Sequence, residues 1–549
     1  MIVRKLSLPL CLTCSALLAS GASTATAQET NTQLYERYRA VVEAARGLRF
    51  KRAVPSAVLT PQKLQALRDA DLARPREPEA PGPPEGPDPT EVAWKSLGLI
   101  PRVTKLAEAE EQDLKQSEGG FYLTDDGFAP FRKGTLVVIQ RKRDDPTEVS
   151  AHELLHALHD QHFDLDAVRG GVPKTASGAP VFDATLADDA VEEGIATLIG
   201  GEIANRLANR PPEPPRDSPF AAKTWIAAKA DFPYAAGAEF ARAVRAAGGL
   251  SKLDALYRDP PRSSEQILHP ERYLRKNRDL PSQVSVADPS TKLPGAWETL
   301  DVNTLGELGL GWLAGPRAAA GWDGDQYRVL RNTSTGQVLT VWALTFDTAA
   351  DAAEARLALP LGPLLQGLPR DKRLAVRQRG RELFVVTGAT EDQLEPALAA
   401  LSASRVRKLP GDDDRWPPRK PPRDALARAL EHAHSGTTVV RRGATRRAPG
   451  VRAGSFVLDP EGRELAEKAL RGFEAQARRK RGGVKRLGAG RYALPEGTVV
   501  AYRDGVLRLS NRGTSKPLDA LLARLESKAP PAPRPPTAGV VEALGRSSK

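Results

Sequence analysis

The chain has 549 residues, of which 40% are apolar and 27% charged, with a formal charge of +12. That length supports several domains of roughly 150 residues each, and the apolar share excludes a wholly disordered chain. Both cysteines, Cys11 and Cys14, stand at the very start, so a chain cleaved behind Ala27 has neither a disulfide nor a thiolate for a metal.

In chain order, residues 1–27 read as a secretory signal peptide: a basic start at Arg4 and Lys5, an apolar run from Leu6 to Ser20, and Ala25-Thr26-Ala27 as the cleavage site. The expected location is secreted or periplasmic. A lipidated Cys14 fits less well because Thr13 precedes it. No later run reaches the roughly 20 apolar residues of a membrane span. Residues 28–73 form an N-terminal helical segment, with a helix over 31–47 carrying Tyr35, Tyr38, Val41 and Val42, and a second short helix approached through Leu59 to Leu67. Residues 74–90 are a proline-rich linker.

Helical patterns dominate residues 91–295, interrupted by the strand-like Thr135 to Ile139. An α+β domain follows over 296–405, a linker over 406–424, a second α+β domain over 425–527 and a disordered tail over 528–549. A faint repeat crosses the second linker. Strand 338–346, helix 349–357, strands 373–378 and 382–387 and helix 391–402 are echoed by strand 455–458, helix 460–479, strands 491–493 and 498–502 and helix 516–526. The basic run Arg478-Arg479-Lys480-Arg481 has no interleaved aromatics, so no nucleic-acid partner is expected.

Four of the seven histidines, His152, His156, His159 and His162, crowd into one segment. Its core, His152-Glu153-Leu154-Leu155-His156, is an H-E-x-x-H pattern. Asp145 as cap, Pro146 in the first turn and Glu148 three residues after the cap start a helix that meets no breaker before Phe163. The i,i+4 spacing then turns His152 and His156 to one face, where they can share a metal. Glu153 stands where a carboxylate can take a proton from water at that metal. Three residues compete as third ligand. His162 lacks the glycine that would swing it back to the metal. Glu192 shares a face with Asp188 and Asp189 and reads as solvated. Glu193 projects from the small and apolar stripe Leu186, Ala190, Thr197 and Gly201, and is favoured because a carboxylate there wants a cation. Asp160, one turn past His156, is the expected hydrogen-bond acceptor for a ligand imidazole. His269, Tyr273 and Tyr234 are candidates for stabilising an oxyanion, and Leu136 to Ile139 for an edge strand that pairs with extended peptide.

The run His152 to Leu165 together with Val191-Glu192-Glu193-Gly194-Ile195-Ala196-Thr197 resembles a family of largely uncharacterised bacterial secreted proteins with a predicted gluzincin-like zinc metallopeptidase domain. The likeness continues through Arg46-Gly47-Leu48, Gly120-Phe121-Tyr122, Phe232-Pro233-Tyr234, Pro260 to Pro270 and Gly321-Trp322-Asp323-Gly324-Asp325, spanning about residues 40 to 400. It implies zinc held by His152, His156 and Glu193, the last standing in the family's E-G-x-A-T segment. The departures are His159, where glutamine is common, and the extra acid Glu192.

The expectation is therefore an α+β multidomain chain: a mostly helical, zincin-like catalytic domain with a small sheet, then two small α+β domains. Its function would be zinc-dependent peptide-bond hydrolysis outside the cytoplasm, on a peptide or protein substrate, with Glu153 as general base. The rivals are a non-catalytic envelope binding protein with a structural zinc site, and an amidase acting on peptidoglycan stem peptides.

Overall fold

The computed structural model describes residues 31–72, 87–117, 119–124, 130–140, 146–215, 217–359, 372–412, 425–441, 451–479, 483–495 and 498–511. The signal peptide, the core of the first linker, most of the second and the tail lie outside these residues. The fold is α+β and multidomain.

The first part of the chain is mostly helical. It comprises α1 (Gln33–Arg46), β1 (Ser56–Leu59), α2 (Pro61–Leu72), α3 (Pro89–Ser96), α4 (Leu106–Ser117), β2 (Gly120–Tyr122), β3 (Leu136–Ile139), α5 (Thr147–Phe163), α6 (Leu165–Gly170), α7 (Phe182–Leu207), α8 (Trp225–Leu256), α9 (Ser264–Leu268) and α10 (Pro270–Leu274). Strand β4 (Gln283–Ser285) follows. The expected second helix is α2, and Leu59 before it closes a strand, because the segment Ser56 to Leu59 lies parallel to β3 and pairs with it residue for residue. The small sheet has the order β1-β3-β2. β3 is thus central, contrary to its expected place at an edge, and the edges are β1 and β2. Residues 31–72 brace this unit: Tyr38 Oη lies 3.1 Å from Thr147 Oγ1, and Gln161 Oε1 accepts the backbone N–H of Lys51 at 2.7 Å.

The remainder is built on one sheet of eleven strands. It contains β5 (Trp297–Asn303), α11 (Gly306–Ala314), α12 (Pro316–Ala319), β6 (Trp322–Asn332), β7 (Val338–Phe346), α13 (Ala349–Ala358), β8 (Arg373–Arg379), β9 (Glu382–Ala389) and α14 (Glu391–Leu401). β10 (Arg405–Arg407) leaves the sheet to pair with β4. Then come α15 (Ala425–Glu431), β11 (Ala433–Arg441), β12 (Val451–Leu458), α16 (Pro460–Arg478), β13 (Lys485–Gly488), β14 (Arg491–Ala493), β15 (Thr498–Arg503) and β16 (Val506–Asn511).

Strands β6-β7-β9-β8 lie in the order first, second, fourth, third, and β11-β12-β16-β15 repeat that order. The repeat is therefore real in topology, with a correction to its register. β15 corresponds to β8 and β16 to β9, whereas β14 belongs to an added hairpin; the helix expected at 516–526 lies outside the described residues. The two units join edge to edge through antiparallel pairing of β8 with β11, so the sheet runs unbroken across the segment read as a linker.

Buried charge fastens the helical part to the sheet. Arg272 on α10 donates to Glu265 at 2.6 Å, to Asp347 at 3.1 Å, to the Ala320 carbonyl at 2.8 Å and to Asp279. Asp325, in the Gly321 to Asp325 motif, accepts the backbone N–H groups of Leu305 and Gly306 at 3.0 and 2.9 Å and the indole N–H groups of Trp322 and Trp342 at 3.1 and 2.7 Å. That motif is thus a structural cap on α11. Asp183, at the start of α7, accepts the N–H of Ser264 at 3.1 Å. Burial pushes Asp183 up to about 7 and also raises Asp347 and Glu265.

Asp183 therefore keeps its proton to higher pH in the folded state than in the unfolded chain, which releases it near pH 4. The unfolded state then binds fewer protons, so stability falls as pH rises from about 4 through about 7. The melting temperature is expected to decline between pH 5 and pH 8, and Asp183→Asn to flatten part of that decline. Thermal denaturation across this range tests it; an identical slope in the variant rules out Asp183 as a contributor.

Candidate metal centre

Helix α5 is buried along nearly its whole length, polar residues included, with Leu154, Leu155, Ala157 and Leu158 at zero exposure, so it runs through the interior and carries its histidines with it. It begins at Thr147 after Pro146, while Asp145, the expected cap, lies outside the described residues. It continues unbroken to Phe163, and the chain turns at Asp164 with φ of 52°.

Glu193 reaches α5 through close helix packing. α7 and α8 run parallel at a constant offset: Phe182 beside Trp225, Gly194 against Gly237, and Glu202 bonded to Arg245 at 2.8 Å. A Cβ on Gly194 would stand 2.2 Å from the Gly237 carbonyl carbon, and one on Gly237 would stand 2.4 Å from the Ala190 oxygen. On the α5 side, a Cβ on Gly200 would come within 3.3 Å of the His152 nitrogen. Missing side chains on two sides of α7 let all three helices close up.

The outcome is three side-chain atoms aimed at one point. His152 Nε2 lies 2.9 Å from His156 Nε2 and 3.0 Å from Glu193 Oε2, and His156 Nε2 lies 3.2 Å from the same oxygen. His152, His156 and Glu193 are at most 5% exposed. Tetrahedral ligands bound at 2.0–2.1 Å sit about 3.3 Å apart, so this spacing fits three donors around one ion. Burial alone would raise the Glu193 carboxyl, but the adjoining His156 and His152 outweigh it and hold it below the usual carboxylate range. Glu153 is equally buried, and its carboxylate and both imidazoles offer atoms within 4.8 Å of one another. Its side chain packs beneath β2, where a Cβ on Gly120 would stand 3.3 Å from Glu153 Cγ.

Residues 298–397 match a family described as a domain of unknown function, DUF8575. No curated protein and no solved structure matches the chain. The matched stretch is β5 to α14, the first of the two sheet units, and excludes the histidine helix.

The other expected residues divide. His162 stays on α5 with its Nε2 2.8 Å from the Arg49 carbonyl oxygen, away from the triad. Glu192, read as solvated, is 5% exposed. α6 folds back after Asp164 and lays Arg169 over it, with Nη2 donating to Glu192 Oε2 at 2.7 Å. Glu192 Oε1 also lies 3.0 Å from His156 Nδ1. Asp160, expected to receive an imidazole, instead accepts the Tyr122 hydroxyl at 2.9 Å, because it lies under β2. His269 Nε2 sits 2.9 Å from Glu307, and the Tyr273 hydroxyl donates to the Asp259 carbonyl at 2.8 Å, so both serve the α9–α10 region. Tyr234 stacks on His152, with ring centres 6.1 Å apart and planes at 28°.

His159 was not singled out from its neighbours by sequence reasoning. It accepts from Arg46 Nε at 2.7 Å, so its proton sits on Nδ1, 2.8 Å from the Tyr257 oxygen. Burial and the Arg46 charge hold it neutral, well below the usual histidine value. The partner residues are 98 and 113 positions away, so no local pattern announces them.

Gly194→Ala is expected to cost about 1–3 kcal/mol, the range for overpacked interiors, and to weaken metal binding by displacing Glu193. Gly201→Ala, whose Cβ would meet nothing within 4 Å, is expected to match the parent. Urea titration and metal titration of both variants check this; equal behaviour of the two would contradict the packing argument.

Proposed function

We propose that this protein is an exported zinc-dependent hydrolase of peptide bonds, with His152, His156 and Glu193 as metal ligands and Glu153 as the acid–base group. The carrying observation is the convergence of the two imidazole nitrogens and one carboxylate oxygen within 3.2 Å of one another. Lone pairs so disposed in a dry interior repel unless a cation or proton lies among them. Two neutral imidazoles and a carboxylate, with no sulfur, are a donor set that zinc accepts. When bound, zinc would polarise a carbonyl and lower the pKa of water.

The protein's own groups supply the rest. Glu153, buried beside both imidazoles, removes a proton from the attacking water and returns it to the departing amine. β2 forms one edge of the small sheet and packs against Glu153, so an extended peptide pairing with β2 would lay its backbone across the acid–base group. Tyr234 holds the His152 ring by stacking. Export rests on the sequence of residues 1–27, and no helix among the described residues is long and apolar enough to cross a membrane.

Metal analysis by mass spectrometry on residues 28–549 should find about one zinc per chain. It should be lost in Glu193→Ala and kept in His162→Ala. In Glu153→Gln, zinc should remain while peptide hydrolysis drops on the order of 10²–10⁴-fold, the usual contribution of acid–base catalysis. Zinc uptake with no hydrolysis of peptides or cell-wall fragments by the parent protein would favour a structural site in an envelope binding protein.

A further inference from the structure

We propose that Glu192 and Arg169 form a positioning pair that fixes the ring of His156 for metal binding. The inference rests on the zinc-site reading above. Neighbouring residues of α7 address opposite nitrogens of one imidazole: Glu193 Oε2 lies 3.2 Å from Nε2, and Glu192 Oε1 lies 3.0 Å from Nδ1. For Nε2 to present a lone pair to a cation, the ring proton must reside on Nδ1. The carboxylate stands beside Nδ1 at ion-pair distance, outside hydrogen-bonding geometry, so its charge favours that tautomer and makes Nε2 a better donor.

Glu192 could not do this alone. It is a buried anion next to a second buried anion, with Asp188 one turn earlier on the same helix also buried. Arg169 supplies the opposing charge. Its Nη2 donates to Glu192 Oε2 at 2.7 Å and its Nη1 donates to Thr124 Oγ1 at 3.0 Å; Asp166 lies 3.7 Å from the guanidinium. Thr124 stands two residues beyond β2. The chain Thr124, Arg169, Glu192, His156 therefore runs from the strand edge proposed to hold the peptide to the ring proposed to hold the metal. The turn at Asp164 is what returns α6 across α7 and makes the chain possible.

This role is separable from a merely structural one. In the full mature protein, zinc affinity would be measured by competition with a chromophoric chelator for the parent, Glu192→Gln, Glu192→Ala, Arg169→Met and the double variant Arg169→Met/Glu192→Gln. Visible spectra of the cobalt-loaded forms would be recorded alongside. Glu192→Ala should lose 10–100-fold in zinc affinity, the range for removing such a partner. Glu192→Gln, nearly isosteric and expected to fold, should lose less and should shift the cobalt absorption. Arg169→Met should weaken zinc binding without adding to the effect of Glu192→Gln, because the two act as one unit. Parent-like affinity and cobalt spectra in both Glu192 variants would overturn the positioning role while leaving the zinc site standing. Additive losses in the double variant would break the link to Arg169. A parent protein that takes up neither zinc nor cobalt would overturn the zinc reading itself.

Discussion

The structure depends on the backbone contact between α7 and α8 at Gly194 and Gly237. Parallel helices seldom approach so closely, because side chains normally hold helix axes 8–10 Å apart. Here neither residue has a Cβ, and Ala190 is the next neighbour. The close approach presses α7 against α8 on one side, and Gly200 lets α5 press against α7 on the other. Glu193 sits between these two contacts, so its reach to His152 and His156 is set by main-chain packing and not by flexible side-chain reach. The same constraint places Glu192 at the far nitrogen of His156.

Buried charges in this protein fall into two kinds. Those around the junction with the sheet face opposite charges or N–H donors. Asp325 accepts four N–H groups, and Arg272 gathers three carboxylates and a carbonyl oxygen. Arg272 secures the helical part to the sheet, and Asp325 fixes α11 within the sheet part. The triad is different, since two imidazole nitrogens and a carboxylate oxygen face one another across about 3 Å. The first arrangement reads as architecture and the second is the proposed metal site, although both are clusters of ionisable groups in a dry interior.

The eleven-stranded sheet adds a second theme. Two units of identical strand order are joined edge to edge, which hides one edge of each in the other and leaves fewer free edges than two separate sheets would. The match to DUF8575 covers the first unit only. That unit also carries contacts to the helical part through Asp347, which accepts from Arg272, and Asp323, which accepts the Ser282 hydroxyl at 3.1 Å, whereas the second unit has its own apolar core of Leu426, Leu430, Phe456, Leu458 and Leu507. The region read as a linker separates these cores without interrupting the sheet.

The local signals were legible from residue order alone. Helical spacing put His152 and His156 on one face, the small-residue stripe singled out Glu193, and unbroken helix kept His162 away, because each depends only on the 3.6-residue period of a single helix. The β-α-β-β-α repeat was visible for the same reason, though its register was not: β14 and β16 are short strands whose pairing is decided by their partners. What tertiary structure alone decided were the relations between segments. The sequence could not show that Ser56 to Leu59 would pair with β3 and take it off the edge, that Arg169 would cover Glu192, or that Asp160 would serve Tyr122 and not an imidazole. Those outcomes depend on which backbones come within hydrogen-bonding distance. Here glycine contacts between helices and a left-handed turn at Asp164 set that distance, and the periodicity of one segment contains no information about either.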